Sequence, residues 1–206
     1  MTAPDTSLIL RTCDSDLTSH GGFQWPETGH IEAPDWDPTP NCGNGLHGCL
    51  WGEGDGNLLS WNPYARWLVV EVPTSTIVNL SGKVKFPAGT VVHCGDRLSA
   101  TTYLLADPRA AGRTVHGSTA TAGDRGTATT GNWGTVVIRR WDRSASRWRL
   151  VVGYIGENGL EANVAYRLDD AGQWHQRGRD QSDGLGRHRG AAPAPRLRIH
   201  ARPVPR

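Results

Sequence analysis

The sequence has few of the large apolar residues that usually fill a protein core. Of its 206 residues, 37% are hydrophobic, with two phenylalanines and one methionine. Nine tryptophans compensate in part, because each indole ring buries a large area. We therefore expect tryptophan, valine and leucine to carry the packing of one ordinary domain with small accessory pieces.

Long apolar segments are missing as well. No stretch approaches the roughly 18 apolar residues of a membrane-spanning helix. The N-terminus, MTAPDTSLILRTCDSD, lacks the basic and apolar parts of a leader peptide. These absences predict a cytoplasmic protein that makes no membrane contact. The four cysteines are too few for a secreted disulfide framework, so we expect reduced thiols.

The charge is unevenly distributed along the chain. The net charge is +2, but residues 176–206 contain eight arginines and two aspartates, which leaves residues 1–175 mildly acidic. This balance excludes a general argument for nucleic-acid binding. Residues 177–206 are rich in Arg, Gly and Pro and poor in core-forming residues, which predicts a disordered tail. Nucleic-acid contact through this tail is the alternative to a dispensable extension.

Long helices are disfavoured by 26 glycines and 13 prolines, so the predicted fold class is mainly β with one short helix. Short β-branched runs between turn residues predict strands at 7–13 and 67–72 and three further short strands within 76–94. Asp96 has the position of an N-cap. Residues 97–106 form the predicted helix, with Leu98 and Leu105 on one face, and it ends before Pro108.

Residues 115–138 repeat with a period of eight, as VHGSTATA, GDRGTATT and GNWGTVVI. Alternating threonine and alanine between glycine turns predict narrow β-coils with small side chains stacked inside. Three octads make one or two coils, so this rudimentary β-solenoid must pack against flanking strands to be stable. Strands predicted at 135–141, 147–154 and 163–168 belong to a C-terminal antiparallel meander that ends at Gln176.

The octads resemble the Gly-Thr-Ala-Thr-Ala-Gly repeats of bacterial β-solenoids, including those similar to ice nucleation proteins, but their number excludes an extended ice-like surface. The order of blocks from RTCDSDL through PNCGNGLHGCLWGEGDG to VGYIGENGLEANVAYRLDDAGQW resembles an uncharacterised family of bacterial and phage genomes. This resemblance covers about residues 8–176, and its Cys-Gly-x-Gly-Leu-His stretch is the most specific element. It implies a β-rich fold and a phage or mobile-element setting, without a known activity.

The stretch PNCGNGLHGCLWGEGDG, residues 40–56, holds the predicted site. Cys42, His47 and Cys49, completed by His93, are the candidate metal ligands, and zinc is the candidate cofactor because it accepts sulfur and imidazole donors. The spacing departs from the usual C-x(2–4)-C of zinc sites. Catalysis by a cysteine thiolate and a histidine is an alternative, with His47 as the first catalytic candidate. Buried structural thiols are another.

The second half of this stretch contributes further candidates. The complete set of predicted binding residues is Cys42, His47, Cys49, Trp51, Glu53 and Asp55. Glu53, Asp55 and Asn57 alternate as calcium ligands can, but the EF-hand pattern is absent, and an exposed glycine turn explains them equally. The tryptophans of this region offer a recognition platform, although we assign most of them to the core; they are Trp25, Trp36, Trp51 and Trp61.

These features predict four segments: an N-terminal β-rich domain (1–114), the octad segment (115–138), the meander (139–176) and the tail (177–206). Because no catalytic motif is complete, the leading hypothesis is a non-enzymatic binding or accessory module of the phage type, with an unknown protein or small-molecule partner. The alternative is an enzyme centred on Cys42, His47 and Cys49, either a metal-assisted or cysteine-based hydrolase or an ADP-ribosyl-type transferase.

Overall fold

A computed structural model describes residues 5–177 and shows a mainly β fold with one α-helix in this part of the chain. The predicted fold class is confirmed. The predicted tail lies outside the described residues, except for Arg177. The elements are β1 (Thr6–Cys13), β2 (Thr18–Ser19), β3 (Phe23–Gln24), β4 (Gly29–Glu32), β5 (Leu46–Leu50), β6 (Arg66–Pro73), β7 (Val78–Asn79), β8 (Val84–Phe86), β9 (Ala88–Gly95), α1 (Arg97–Leu105), β10 (Thr119–Ala122), β11 (Thr135–Asp142), β12 (Arg147–Tyr154), β13 (Tyr166–Leu168) and β14 (Trp174–Gln176).

The N-terminal half is built on a seven-stranded antiparallel sheet with the order β4-β9-β6-β1-β5-β8-β7. β1 and β6 pair over their full length, from Thr6 opposite Pro73 to Cys13 opposite Arg66. Their continuous aliphatic runs are buried, as expected of strands that are covered on both faces. Both strands agree with the predicted positions.

The two faces of this sheet carry separate hydrophobic clusters, because successive side chains of a strand point to opposite sides. On one face, Leu10 of β1 belongs to the same cluster as Leu104 of α1. On the other face, Ile9 belongs to a cluster with Phe86 of β8. The tryptophans of the first third are buried in these clusters or packed against them, which confirms the assignment of most of them to the core; they are Trp25, Trp36, Trp51 and Trp61.

The helix begins where the sequence predicts it. The Asp96 carboxylate accepts a hydrogen bond from the backbone N–H of Ser99 (2.8 Å), which satisfies an otherwise unpaired donor at the helix start. The buried face differs from the predicted one, since α1 buries Ala100, Thr101 and Leu104, whereas Leu98 and Leu105 are exposed. No helix among residues 5–177 has the length and apolar character needed to cross a membrane.

The octads form one turn of a β-solenoid. β10 pairs in parallel with the start of β11, from Thr119 opposite Thr135 to Ala122 opposite Ile138. Paired residues are sixteen positions apart, so two octads make one coil. The middle octad crosses on the other side, where Ala128 forms a bridge with Tyr166. We call residues 119–138 the coil.

The C-terminal strands cover this coil and share its hydrophobic core. β12 pairs with β11 in antiparallel orientation, and β13 forms a hairpin with β14. Val136 and Ile138 of the coil share a hydrophobic cluster with Tyr166 and Leu168. The coil therefore has a core that it shares with the flanking strands. Whether the segments bounded at residues 114 and 138 are separate domains stays a prediction.

Candidate functional site

The glycine-rich stretch contains a strand that its composition did not predict. Leu46–Leu50 form β5, which lies between β1 and β8 in the large sheet. Gly48 explains how β5 reaches this place, because a Cβ atom there would lie 2.4 Å from Ile9 Cγ2. The preceding turn uses Gly43 and Gly45, both with positive φ, a conformation that glycine adopts without steric cost.

The two cysteines of this stretch have opposite environments. Cys49 is fully buried in the cluster on the α1 side, and burial raises the pKa of its thiol to about 11. Cys42 is exposed. The Nζ atom of Lys83 donates a hydrogen bond to Cys42 Sγ (3.0 Å), which lowers the pKa of this thiol. Cys49 is thus a small core residue, and Cys42 is the more reactive thiol.

The structure does not bring the four predicted zinc ligands together. His47 and Cys49 lie on β5, whereas His93 lies on β9, and β1 and β6 run between these strands. Three strand spacings separate them by about 14 Å, which is far beyond the reach of one ion. His93 Nε2 instead lies 3.1 Å from Ser99 Oγ. Among residues 5–177, no three His, Cys, Asp or Glu side chains are placed to hold a metal ion.

Of the acidic residues of the stretch, Glu53 contacts the segment that precedes the coil, and Asp55 contacts its own turn. The Glu53 carboxylate accepts hydrogen bonds from Arg113 Nη1 (2.8 Å) and from the backbone N–H of Thr114 (3.1 Å). The Asp55 carboxylate accepts one from the backbone N–H of Asn57 (3.0 Å). These contacts use both carboxylates within the fold. The ring of Trp51 is buried and lies beside the guanidinium groups of Arg109 and Arg113.

A basic pocket lies beside β5. Of the residues that line it, Cys42 and His47 were predicted as site residues and Trp25 as a member of the tryptophan platform. It has a volume of about 690 Å³ and includes Arg11, Phe23, Trp25, Cys42, His47 and Lys83 in its lining. The Arg11 guanidinium lies 3.9 Å from the centre of the Trp25 ring and donates to the carbonyl of His47 (3.3 Å). Burial, followed by the charge of Lys83, lowers the pKa of His47.

Arg11 and Lys83 could have been found from the sequence only through their strands. Arg11 interrupts the apolar run of β1, and Lys83 precedes the short strand β8. Each has the ordinary appearance of a solvated surface residue in sequence. The two side chains come together because β1 and β8 both pair with β5. Their proximity could therefore be predicted only if β5 was recognised as a strand.

The outer face of the coil presents a second candidate surface. Thr119 and Thr121 of β10 are exposed, and Thr135 of β11 lies directly opposite Thr119. Val137 lies opposite Thr121. The same face continues on β12 with Val152 and Tyr154, which are both exposed. We call Thr119, Thr121 and Thr135 the threonine face.

Comparisons with known proteins find similar sequences in one class of bacterial protein. Residues 7–106 match the model of a domain of unknown function, DUF7666. An ice nucleation protein of Pseudomonas syringae is 44% identical over 104 residues, which cover 50% of this chain and 9% of the relative. Ice nucleation protein InaU of Pantoea ananas is 40% identical over 103 residues, which cover 49% of this chain and 10% of the relative. No solved structure matches the chain.

These relatives correct several predictions. The expectation of a family of unknown function is confirmed for residues 7–106, but the phage or mobile-element setting is wrong, because the relatives are ice nucleation proteins of bacteria. The prediction of a phage-type accessory module, with an enzyme as the alternative, is contradicted by the same relatives. The cytoplasmic location is contradicted as well. Across about half of its length, the chain is similar to proteins named for nucleating ice.

Proposed function

We propose that this chain acts in ice nucleation and that the threonine face of the coil is its water-ordering surface. The observation that carries the proposal is the parallel, in-register pairing of β10 with β11, which puts Thr119 beside Thr135. The similarity to ice nucleation proteins supports it. The aligned part is 9% of that relative's length, so the activity of the whole relative is part of the proposal.

The geometry of the coil suits this role. Alternate residues of a strand are roughly 6.6 Å apart, and neighbouring strands are separated by about 4.8 Å. Threonine side chains are stiff because they branch at Cβ. The hydroxyl and methyl groups of Thr119, Thr121 and Thr135 therefore form a regular array on a rigid backbone. Water bound to such an array is restricted in position and orientation, as it is in ice.

The size of the threonine face limits what one molecule does. The ladder of β10 with β11 spans four residue pairs, and Val137 interrupts the second row of hydroxyl groups. A patch of this area holds few waters, whereas a stable ice embryo needs a larger template. We therefore assign to the single chain the binding of ice, and to an assembly with more coils the nucleation of ice.

A charge-substitution experiment tests the face. The double variant Thr119→Lys, Thr121→Lys places flexible cations on exposed positions without changing the buried side of the coil. The matched control is Thr127→Lys, Thr129→Lys, which alters the other strand segment of the same coil. Ice is grown slowly from a dilute solution of each protein, and the fraction of protein in the ice is measured. Circular dichroism verifies that each variant is folded.

We expect the natural chain and the control to enter the ice and the double variant to stay in the liquid. Equal incorporation of all three proteins would show that the coil is not the ice-binding surface. Exclusion of the control alone would move the surface to the opposite side of the coil.

A further inference from the structure

The only two lysines of the chain, Lys83 and Lys85, contact residues 41–43, the segment that precedes β5. Lys83 Nζ donates to Cys42 Sγ (3.0 Å). Lys85 is 1% exposed, and its Nζ atom donates to the carbonyls of Asn41 (2.9 Å) and Gly43 (3.3 Å). Together with Arg11, they concentrate positive charge around one short stretch of backbone.

The aspartates near this charge, Asp35 and Asp37, form no direct ion pair with it. Within the described part of the chain, Arg11, Lys83 and Lys85 form no ion pair with Asp or Glu. Asp35 also lines the pocket, but one of its oxygens accepts a hydrogen bond from the backbone N–H of Gly45 (3.0 Å). A buried or half-buried cation without a counter-charge is costly. The pocket is therefore electropositive and favours an anion.

Two nitrogen atoms at the pocket have no hydrogen-bond partner. His47 Nε2 and Arg11 Nε are buried, and neither is paired with any group of residues 5–177. Buried polar groups are nearly always paired in folded proteins, so unpaired ones indicate a missing hydrogen-bond partner. His47 lines both the basic pocket and a smaller adjoining pocket of about 160 Å³.

We propose that the basic pocket binds the phosphate group of a small ligand, with Lys83 as the donor, Arg11 as a supporting charge and His47 in the wall of the site. A carboxylate is best held by the planar fork of a free guanidinium. That fork is occupied here, since the two terminal nitrogens of Arg11 donate to the carbonyls of His47 and Thr12. Single donors from different directions suit the tetrahedral phosphate instead. The half-buried ring of Phe23 lines the same pocket and offers an apolar wall for the rest of the ligand.

Amine footprinting tests the site, because the α-amino group and two lysines are the primary amines of the chain. The full chain is acetylated with and without inorganic phosphate, and modification of each lysine is followed by mass spectrometry. We expect phosphate to slow acetylation of Lys83 several-fold, while Lys85 stays unreactive because it is buried. Unchanged acetylation of Lys83 at saturating phosphate would overturn the proposal.

Isothermal titration calorimetry separates the ligand classes. Inorganic phosphate is expected to bind more tightly than acetate or chloride. Lys83→Met should weaken phosphate binding about tenfold, the loss of one charge-assisted hydrogen bond. Arg149→Met, which removes a cation from β12, is the control and should bind phosphate like the natural chain. Equal affinity for acetate would overturn the assignment to phosphate.

A third variant tests the role of the thiol. Cys42→Ser removes the thiol that Lys83 contacts and leaves the cations in place. Phosphate affinity is expected to hold or to rise, because the ammonium group is released from its sulfur partner. Loss of binding in this variant would show that the Lys83–Cys42 pair, and not the open cation, defines the site.

Discussion

At the scale of single residues, glycines decide where the candidate sites lie. Gly48 has no room for a side chain, since its Cβ would lie 2.4 Å from Ile9 Cγ2 and 2.9 Å from the carbonyl oxygen of Leu10. This close approach lets β5 join β1 and carries His47 to the basic pocket. In the sequence, the same glycine is one of several in a stretch with turn composition.

Gly48→Ala is expected to destabilise the protein by about 2 kcal/mol, a typical cost of overfilling a packed site. The reason is that backbone and a β-branched side chain, rather than a flexible side-chain end, occupy the space. Urea denaturation measures the change in the free energy of unfolding. Gly123→Ala is the control, because a Cβ at Gly123 would meet nothing within 4 Å. Equal stability of both variants would contradict this account of β5.

At the scale of elements, the sequence predicted those strands whose signal is local. β1, β6 and β12 are recognisable as short β-branched runs, and α1 is marked by its N-cap Asp96. β5 was missed because it contains glycine and follows prolines, and it is a strand only through its neighbours β1 and β8. The separation of His47 from His93 was not predictable either, since the strand order that places β1 and β6 between them is a long-range property.

A buried pair of hydroxyl groups stabilises the start of the coil, and replacing one hydroxyl group with a methyl group tests its contribution. Ser118, which directly precedes the coil, and Thr130 within it are both buried, and Ser118 Oγ lies 2.7 Å from Thr130 Oγ1. Thr130→Val keeps the shape and removes the hydroxyl group, so we expect a loss of about 1 kcal/mol in unfolding free energy. Thr129→Val, at the neighbouring half-buried position, should be nearly neutral. A larger effect of the control, measured by thermal unfolding, would show that the coil is held in another way.

At the scale of the whole molecule, the two ends of the coil have different neighbours. His116 Nε2 contacts the carbonyl oxygen of Gly54 (2.9 Å) on the side of the large sheet. β12 covers the other end through its pairing with β11. The repeat period and the need for flanking strands were predictable from the octads. The arrangement of the two ends was not, because it depends on contacts between distant parts of the chain.

Adding coils should extend the threonine face. Duplicating residues 119–134 after Gly134 inserts two octads, and we expect each duplicate to stack one more TATA strand between β10 and β11. If the proposed function holds, the median freezing temperature of droplets that contain the protein rises with the number of duplicates. A parallel series with lysine at the inserted Thr119 and Thr121 equivalents serves as the control. Identical freezing temperatures in both series would contradict the role of the threonines.

The sixteen-residue pairing distance between β10 and β11 has a genetic consequence. Recombination between octad repeats that adds or deletes two octads returns every buried alanine and threonine to an equivalent position, and both ends of the coil keep their contacts. A change of one octad exchanges the two sides of the coil and separates it from β12. Gene variants of this protein and its relatives should therefore differ in length by whole pairs of octads.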